Sequence, residues 1–144
     1  MSTVAKIMSK HPKTVGPGVS IVSAAKKMRT ERVGSLFVKK GKKLVGILTD
    51  TDIVRRAVSS NKPLGKMTVE TIMTTPICTI EGSQSVNDAQ DMMGDLGVRH
   101  LAVTKAGEIV GVVSVRDVMM FYKRYAQSAI SPEVKYSEPK IGQD

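Results

Sequence analysis

Shifted by 65 positions, this chain lies on itself without a gap. Val4, Ile7 and Met8 fall on Val69, Ile72 and Met73, and Thr14, Ser20, Ala24 and Met28 fall on Thr79, Ser85, Ala89 and Met93. The match continues through Val33, Leu36, Val38, Val45, Gly46 and Asp52, which fall on Val98, Leu101, Val103, Val110, Gly111 and Asp117. An internal repeat constrains the fold before any other feature does. Two copies are too few for a solenoid, and a unit of about 55 residues buries only about 60% of its surface alone. The copies are therefore expected to pack on each other.

Each copy carries the same succession of patterns. After the short apolar segment comes an extended stretch around Thr14 and Val15, and then Ser20 precedes Ile21, Ala24, Ala25 and Met28 at helical spacing. In the second copy Ser85 and Asp88 form an S-x-x-D helix start, Val86, Ala89, Met93 and Leu96 form the stripe, and Gly97 suits the helix end. Two β-rich runs follow, SLFVK and KLVGIL, joined by a Lys-Gly turn; their counterparts, HLAV and EIVGVV, are joined by Lys105-Ala106-Gly107. A last helix is expected to turn Ile53, Val54, Ala57 and Val58 inward in the first copy, and Val118, Phe121, Tyr122 and Tyr125 in the second. The unit reads β-α-β-β-α. Polar residues 59–66, with Pro63 and Gly65, mark the linker. This divides the chain into residues 1–66, the first copy with its linker, 67–126, the second, and 127–144, a flexible or partner-docking tail.

Composition excludes several classes. Aromatic residues make up 3% of the chain and Trp is absent, so the core must be aliphatic. The longest apolar runs are broken at Gly46 and Gly111 and fall well short of the roughly 18 residues of a membrane span. No signal peptide is legible, and the single cysteine, Cys78, cannot form an intramolecular disulfide, so a cytoplasmic location is expected. The net charge of +9 is uneven: residues 1–66 hold 15 Lys and Arg against Glu31, Asp50 and Asp52, whereas 67–144 hold 7 basic against 10 acidic residues. A basic half attracts anions, and it also attracts an acidic half, as in a head-to-tail homodimer.

The residues richest in chemistry stand where the last strand of each copy meets its last helix. Gly46 to Asp52 and Gly111 to Asp117 both spell G-h-h-[S/T]-x-x-D. One reading is structural: Thr49 or Ser114 caps the helix and the Asp answers its dipole. The other adds that a helix N-terminus facing a cleft attracts phosphate, while a carboxylate accepts from both hydroxyls of a ribose. Two separated histidines and one cysteine make no metal-ligand set, and the i, i+2 spacing of Asp50 and Asp52 turns them apart. No nucleophile with a paired base is present either, so an enzyme is not expected.

The duplicated unit resembles a tandem pair of cystathionine-β-synthase (CBS) domains, a Bateman module, over residues 4 to about 125. The IM(S/T) start with its following h-x-T segment, the S-[IV]-x-x-A helix and the Gly-to-Asp motif, each present twice, carry the likeness. It implies an α/β fold of the α+β type, two β-α-β-β-α motifs packed sheet to sheet with pseudo-twofold symmetry, and two clefts between them. Such clefts commonly bind adenosyl compounds: AMP, ADP, ATP, S-adenosylmethionine or, less often, a dinucleotide such as NADH. Carried over by position, the preferred cleft would use Ser114 toward phosphate, Asp117 toward ribose, Thr14 toward adenine, Arg99 and His100 as basic contacts, and Val33 and Val112 as aliphatic faces. The second would use Thr49, Asp52 and Thr79, with Ile47 and Val98 as faces. Gly34 and Ser35 stand where the other copy has Arg99 and His100, so the second cleft is expected to lack a cationic contact and to hold phosphate less tightly.

The resemblance implies a regulatory ligand-binding module with no prosthetic group, and the short apolar runs lead to no expectation of a membrane partner. It would act as a homodimer, with Met119, Phe121 and Tyr122 at the interface, or through an effector protein. Two alternatives come from other classes. One is a nucleic-acid-binding protein using Lys39, Lys40, Lys42 and Lys43 on one turn and Arg55-Arg56 nearby, with Phe37 as its sole aromatic. The other is a purely structural dimerisation module.

Overall fold

The computed structural model describes residues 2–126 and 137–140. The tail expected over 127–144 lies outside these apart from 137–140, which are exposed. Chain order is α1 (Val4–Ile7), β1 (Ser9–Lys10), β2 (Thr14–Val15), α2 (Ile21–Glu31), β3 (Ser35–Lys40), β4 (Lys43–Thr49) and α3 (Asp50–Asp52), which continues as a π-helical turn, Ile53–Ala57, and a 3-10 turn, Val58–Ser60. The second copy runs α4 (Val69–Ile72), β5 (Thr79–Glu81), α5 (Val86–Leu96), β6 (His100–Lys105), β7 (Glu108–Ser114) and α6 (Val115–Ala126). One sheet has the order β2-β3-β4, the other β1-β7-β6-β5. The parallel pairs β2–β3 and β5–β6, and the antiparallel hairpins β3–β4 and β6–β7, hold equivalent places in the two copies.

Side-chain chemistry sets the helix limits. Ser20 accepts from the Ser23 N–H at the start of α2, and Ser85 and Asp88 form a reciprocal capping box on α5. Gly97 closes α5 at φ 66°, whereas Arg32 takes the same left-handed cap at φ 56° in α2. The two sheets meet face to face through Phe37, Ile47 and Ala102. Phe37 is 1% exposed there, so the first copy's one aromatic ring supports the sheet interface and is withdrawn from base stacking.

The opening segment of each copy crosses to the other copy. Val4 of α1 is buried with Ile80, Val86, Leu101 and Val113, while Val69 and Ile72 of α4 are buried with Ile21, Leu36, Val38 and Leu48. Backbone bonds fix both crossings: Val4 N–H donates to the Gln84 carbonyl at 2.8 Å, and Val69 N–H to the Val19 carbonyl at 2.9 Å. The chain then runs antiparallel along the partner copy's last strand, Ser9 against Val112 and Thr74 against Ile47. Gly111 and Gly46 permit this approach. A Cβ at Gly111 would lie 2.6 Å from Met8 Sδ and 2.7 Å from the Ser9 carbonyl oxygen; one at Gly46 would lie 2.6 Å from Met73 Sδ. The glycine of the repeated motif is thus a packing requirement of the crossover.

The last helices depart from the expected inward stripes. Ala57 and Val118 are buried, but Val54 is 61% exposed, Val58 is also exposed, and Tyr125 is 77% exposed. A stripe drawn at 3.6 residues per turn does not survive the π-helical turn of the first copy. In the second copy Phe121 and Tyr122 are half-buried, while Tyr125 projects beyond the core and stacks on Phe121 at 5.9 Å between ring centroids. Among the described residues, no helix is long and apolar enough to cross a membrane.

Candidate functional site

Two clefts open where the copies meet, one at each Gly-to-Asp motif. The larger, about 740 Å³, is bounded by Val33, Arg99, His100, Val112, Ser114 and Asp117, together with Ser9, Arg32, Asp50 and Arg116. The smaller, about 320 Å³, is bounded by Ile47, Thr49, Asp52 and Val98, together with Thr51, Arg55, Arg56, Thr74, Ile77, Cys78, Arg99 and His100. Both volumes fall within the roughly 300–1,000 Å³ of small-molecule sites.

Ten of the twelve residues singled out in the sequence therefore line one cleft or the other, and two do not. Thr14 pairs with Phe37 on the outer strand of its sheet and lines a separate groove with Gly16, Val19, Ser23, Lys27 and Lys39; its carbonyl accepts from Lys27 Nζ. Thr79 is exposed on β5, the outer strand of the other sheet. The expectation that these threonines face an adenine does not match their places. The crossing segments reach the clefts instead, through Ser9 in one and Thr74, Ile77 and Cys78 in the other. A residue directly after each I-M pair was the available signal.

Arg99 and His100 border both clefts, and the first copy adds Arg55 and Arg56 from its own π-helical turn. The Asp52 cleft is cationic, contrary to what Gly34 and Ser35 suggested; those two residues border the larger cleft.

The carboxylates are held differently. In both motifs the capping box forms: Asp52 N–H donates to Thr49 Oγ1 at 3.1 Å and Thr49 N–H to Asp52 Oδ2 at 3.0 Å, while Asp117 N–H donates to Ser114 Oγ at 3.2 Å and Ser114 N–H to Asp117 Oδ2 at 2.9 Å. Asp52 also accepts from the Thr74 hydroxyl, at 3.0 Å to Oδ1 and 3.1 Å to Oδ2, and stands 3.8 Å from Arg56 Nε. It is 7% exposed. Arg56 is itself fixed by donating to the Ile72 and Met73 carbonyls at 3.4 and 3.3 Å. Asp117 is half-buried, and among the described residues its carboxylate accepts only from the Ser114 N–H, through Oδ2, and so keeps Oδ1 for another partner.

His100 sits between the clefts, close to Gly34 and Asp50. Burial holds its pKa below the ordinary histidine value and Arg99 pushes in the same direction, against the raising influence of Asp50, Asp117 and Asp52. The resting imidazole is thereby biased toward the neutral form, and an anion arriving beside it would favour the proton.

Comparison with known proteins agrees with this architecture. The CBS domain family model matches residues 4–59 and again 69–124. A CBS domain-containing protein of Bacillus subtilis, YhcV, is 30% identical over 118 residues, 82% of this chain and 84% of that protein. Among solved structures, a putative signal-transduction protein with CBS domains from Burkholderia ambifaria superposes with a TM-score of 0.85 at 29% identity, covering 90% of this chain and all of that one. The CBS domain pair of protein MJ0100, solved with 5-methylthioadenosine and S-adenosyl-L-methionine, superposes with a TM-score of 0.78 at 28% identity over 87% of this chain and 98% of that one.

Proposed function

The chain belongs to the CBS-domain family as a tandem pair, and from that premise we propose that it is a regulatory module that binds an adenosyl nucleotide in the Asp117 cleft. The observation that carries this reading is the uncommitted Oδ1 of Asp117, beside a capped twelve-residue helix and within a cleft that also holds Arg99, His100, Arg32 and Arg116. A carboxylate with one oxygen tied down and the other open is a directed acceptor for the ribose hydroxyls. The basic side chains and the α6 start offer favourable electrostatics for phosphate, and Val33 and Val112 give the base an aliphatic wall. The adenosyl ligands bound by MJ0100 support the same ligand class.

Val33 and Arg32 come from the first copy, whereas Ser114 and Asp117 come from the second. A ligand here contacts both halves, so it biases their arrangement to the extent that it binds one arrangement more tightly. That bias is the regulatory output, read by a second copy or by an effector protein.

Calorimetric titration with AMP, ADP, ATP, S-adenosylmethionine and NADH tests the reading. One of these is expected to bind saturably, and Asp117→Asn, which retains a carbonyl acceptor for the Ser114 N–H, is expected to weaken it by at least tenfold. Saturable binding that Asp117→Asn leaves intact, or no binding by any of the five, would sink the proposal.

A further inference from the structure

The repeat breaks most sharply inside the smaller cleft. Arg55 and Arg56 stand where the second copy has Met120 and Phe121, and Thr74, which the second copy sends across to this cleft, stands where the first copy has Ser9. These differences have opposite effects on the two kinds of ligand group. Thr74 and Arg56 occupy the carboxylate of Asp52, which among the described residues is the only acidic side chain bordering this cleft, so little acceptor capacity remains for a ribose diol. Arg55, Arg56 and Arg99 meanwhile bring three arginines to its lining, together with His100 and Thr51. Guanidinium groups bind phosphate oxygens with two parallel hydrogen bonds, which makes such a wall selective for phosphate over a neutral group. The cavity has less than half the volume of the Asp117 cleft, about 320 against 740 Å³.

We propose that the Asp52 cleft is a separate site for a compact phosphorylated anion without a nucleoside, of the pyrophosphate type. Its wall rejects the sugar diol that the Asp117 cleft accepts, and two of its three arginines, Arg55 and Arg56, come from a π-helical turn that the second copy lacks. Arg99 and His100 border both clefts, so an anion here competes with nucleotide phosphates next door for the same two side chains. Arg55 is the diagnostic residue: it is exposed and borders this cleft alone, whereas Arg56 also ties down backbone carbonyls.

The test is titration of the full chain with inorganic pyrophosphate, using Arg55→Ala, Lys40→Ala as a control for general basicity, and Arg116→Ala as a control for the larger cleft. One saturable site per chain is expected, weakened at least tenfold by Arg55→Ala and within about twofold of the parent in the other two variants. The proposal is overturned by an absence of saturable binding, by equal losses from Arg55→Ala and Lys40→Ala, or by a loss in Arg116→Ala with Arg55→Ala unaffected. None of these outcomes bears on the adenosyl titration and its Asp117→Asn variant, so the two readings fail separately.

Discussion

Thr74 and Asp52 belong to different copies of the repeat, yet the threonine hydroxyl lies 3.0 and 3.1 Å from the two carboxylate oxygens. This bond joins the crossing segment of one copy to the first turn of the other's last helix. Its counterpart pair, Ser9 and Asp117, borders the larger cleft and among the described residues forms no such bond. One repeated motif thereby serves two ends: in the first copy the aspartate stabilises the crossover, and in the second it stays available to a ligand.

Thr74→Val tests that division. Removing the hydroxyl while keeping the shape leaves a 7% exposed carboxylate short of a partner, which is expected to cost about 1–3 kcal/mol. Urea denaturation would show a lower midpoint with an unchanged slope, and Thr74→Ser would restore most of the loss. Equal midpoints for Thr74→Val and the parent protein would mean that the bond contributes nothing net.

Two glycines of the second copy separate packing from flexibility. Gly111→Ala places its Cβ against Met8 Sδ and the Ser9 carbonyl, at 2.6 and 2.7 Å, and because backbone cannot yield cheaply it is expected to destabilise by about 1–3 kcal/mol. Gly94, inside α5, meets nothing within 4 Å of an added Cβ. Gly94→Ala is expected to stabilise by about 0.5–1 kcal/mol through helix propensity. Calorimetric melting temperatures should therefore move in opposite directions for these two substitutions.

Local patterns in the sequence carried the fold a long way. The serine caps of α2 and α5 and the two hairpins are short-range features, written in adjacent residues, and the 65-residue shift shows each of them twice. The exchange of α1 and α4 is not, because Val4 and Val69 look alike and either apolar stripe satisfies either core. The same exchange explains why Thr14 and Thr79 lie outside the clefts: the crossing segments, ending at Ser9 and Thr74, reach the motif strands before the chain arrives at these threonines. The cationic wall of the Asp52 cleft was hidden for another reason. Comparing only the positions equivalent to Arg99 and His100 overlooks Arg55 and Arg56, which a different element delivers to the same space.

Because each core borrows a helix, neither copy is complete alone. Residues 1–66 lack Val69 and Ile72, and residues 67–126 lack Val4, all three buried in the core of the other copy. Each missing aliphatic side chain is worth roughly 1.5–3 kcal/mol of burial, against a total stability of only about 5–15 kcal/mol for a domain. Either fragment expressed separately is expected to give a poorly dispersed amide spectrum. A well-dispersed spectrum from an isolated fragment would refute the dependence on the exchange.

His100 connects the site to pH. Burial keeps its pKa below the ordinary value of about 6.5, with Arg99 adding to the effect and Asp50, Asp117 and Asp52 opposing it. The unfolded chain therefore takes up a proton as pH falls through about 6.5, before the native protein does. In that window the unfolded state binds more protons, so stability rises with pH. The contribution is fully present above the unfolded value and is lost as pH falls toward the lower native one. His100→Gln removes the titration while keeping a polar side chain. Its stability, subtracted from that of the parent protein at pH 7.5, 6.5 and 5.5, should show a parent advantage that shrinks as the pH drops. Parallel curves would mean that the native imidazole titrates as it does in the unfolded chain. An anion bound beside His100 acts in the opposite sense, raising its pKa, so the same denaturation series with saturating pyrophosphate is expected to show a weaker slope between pH 7.5 and 5.5.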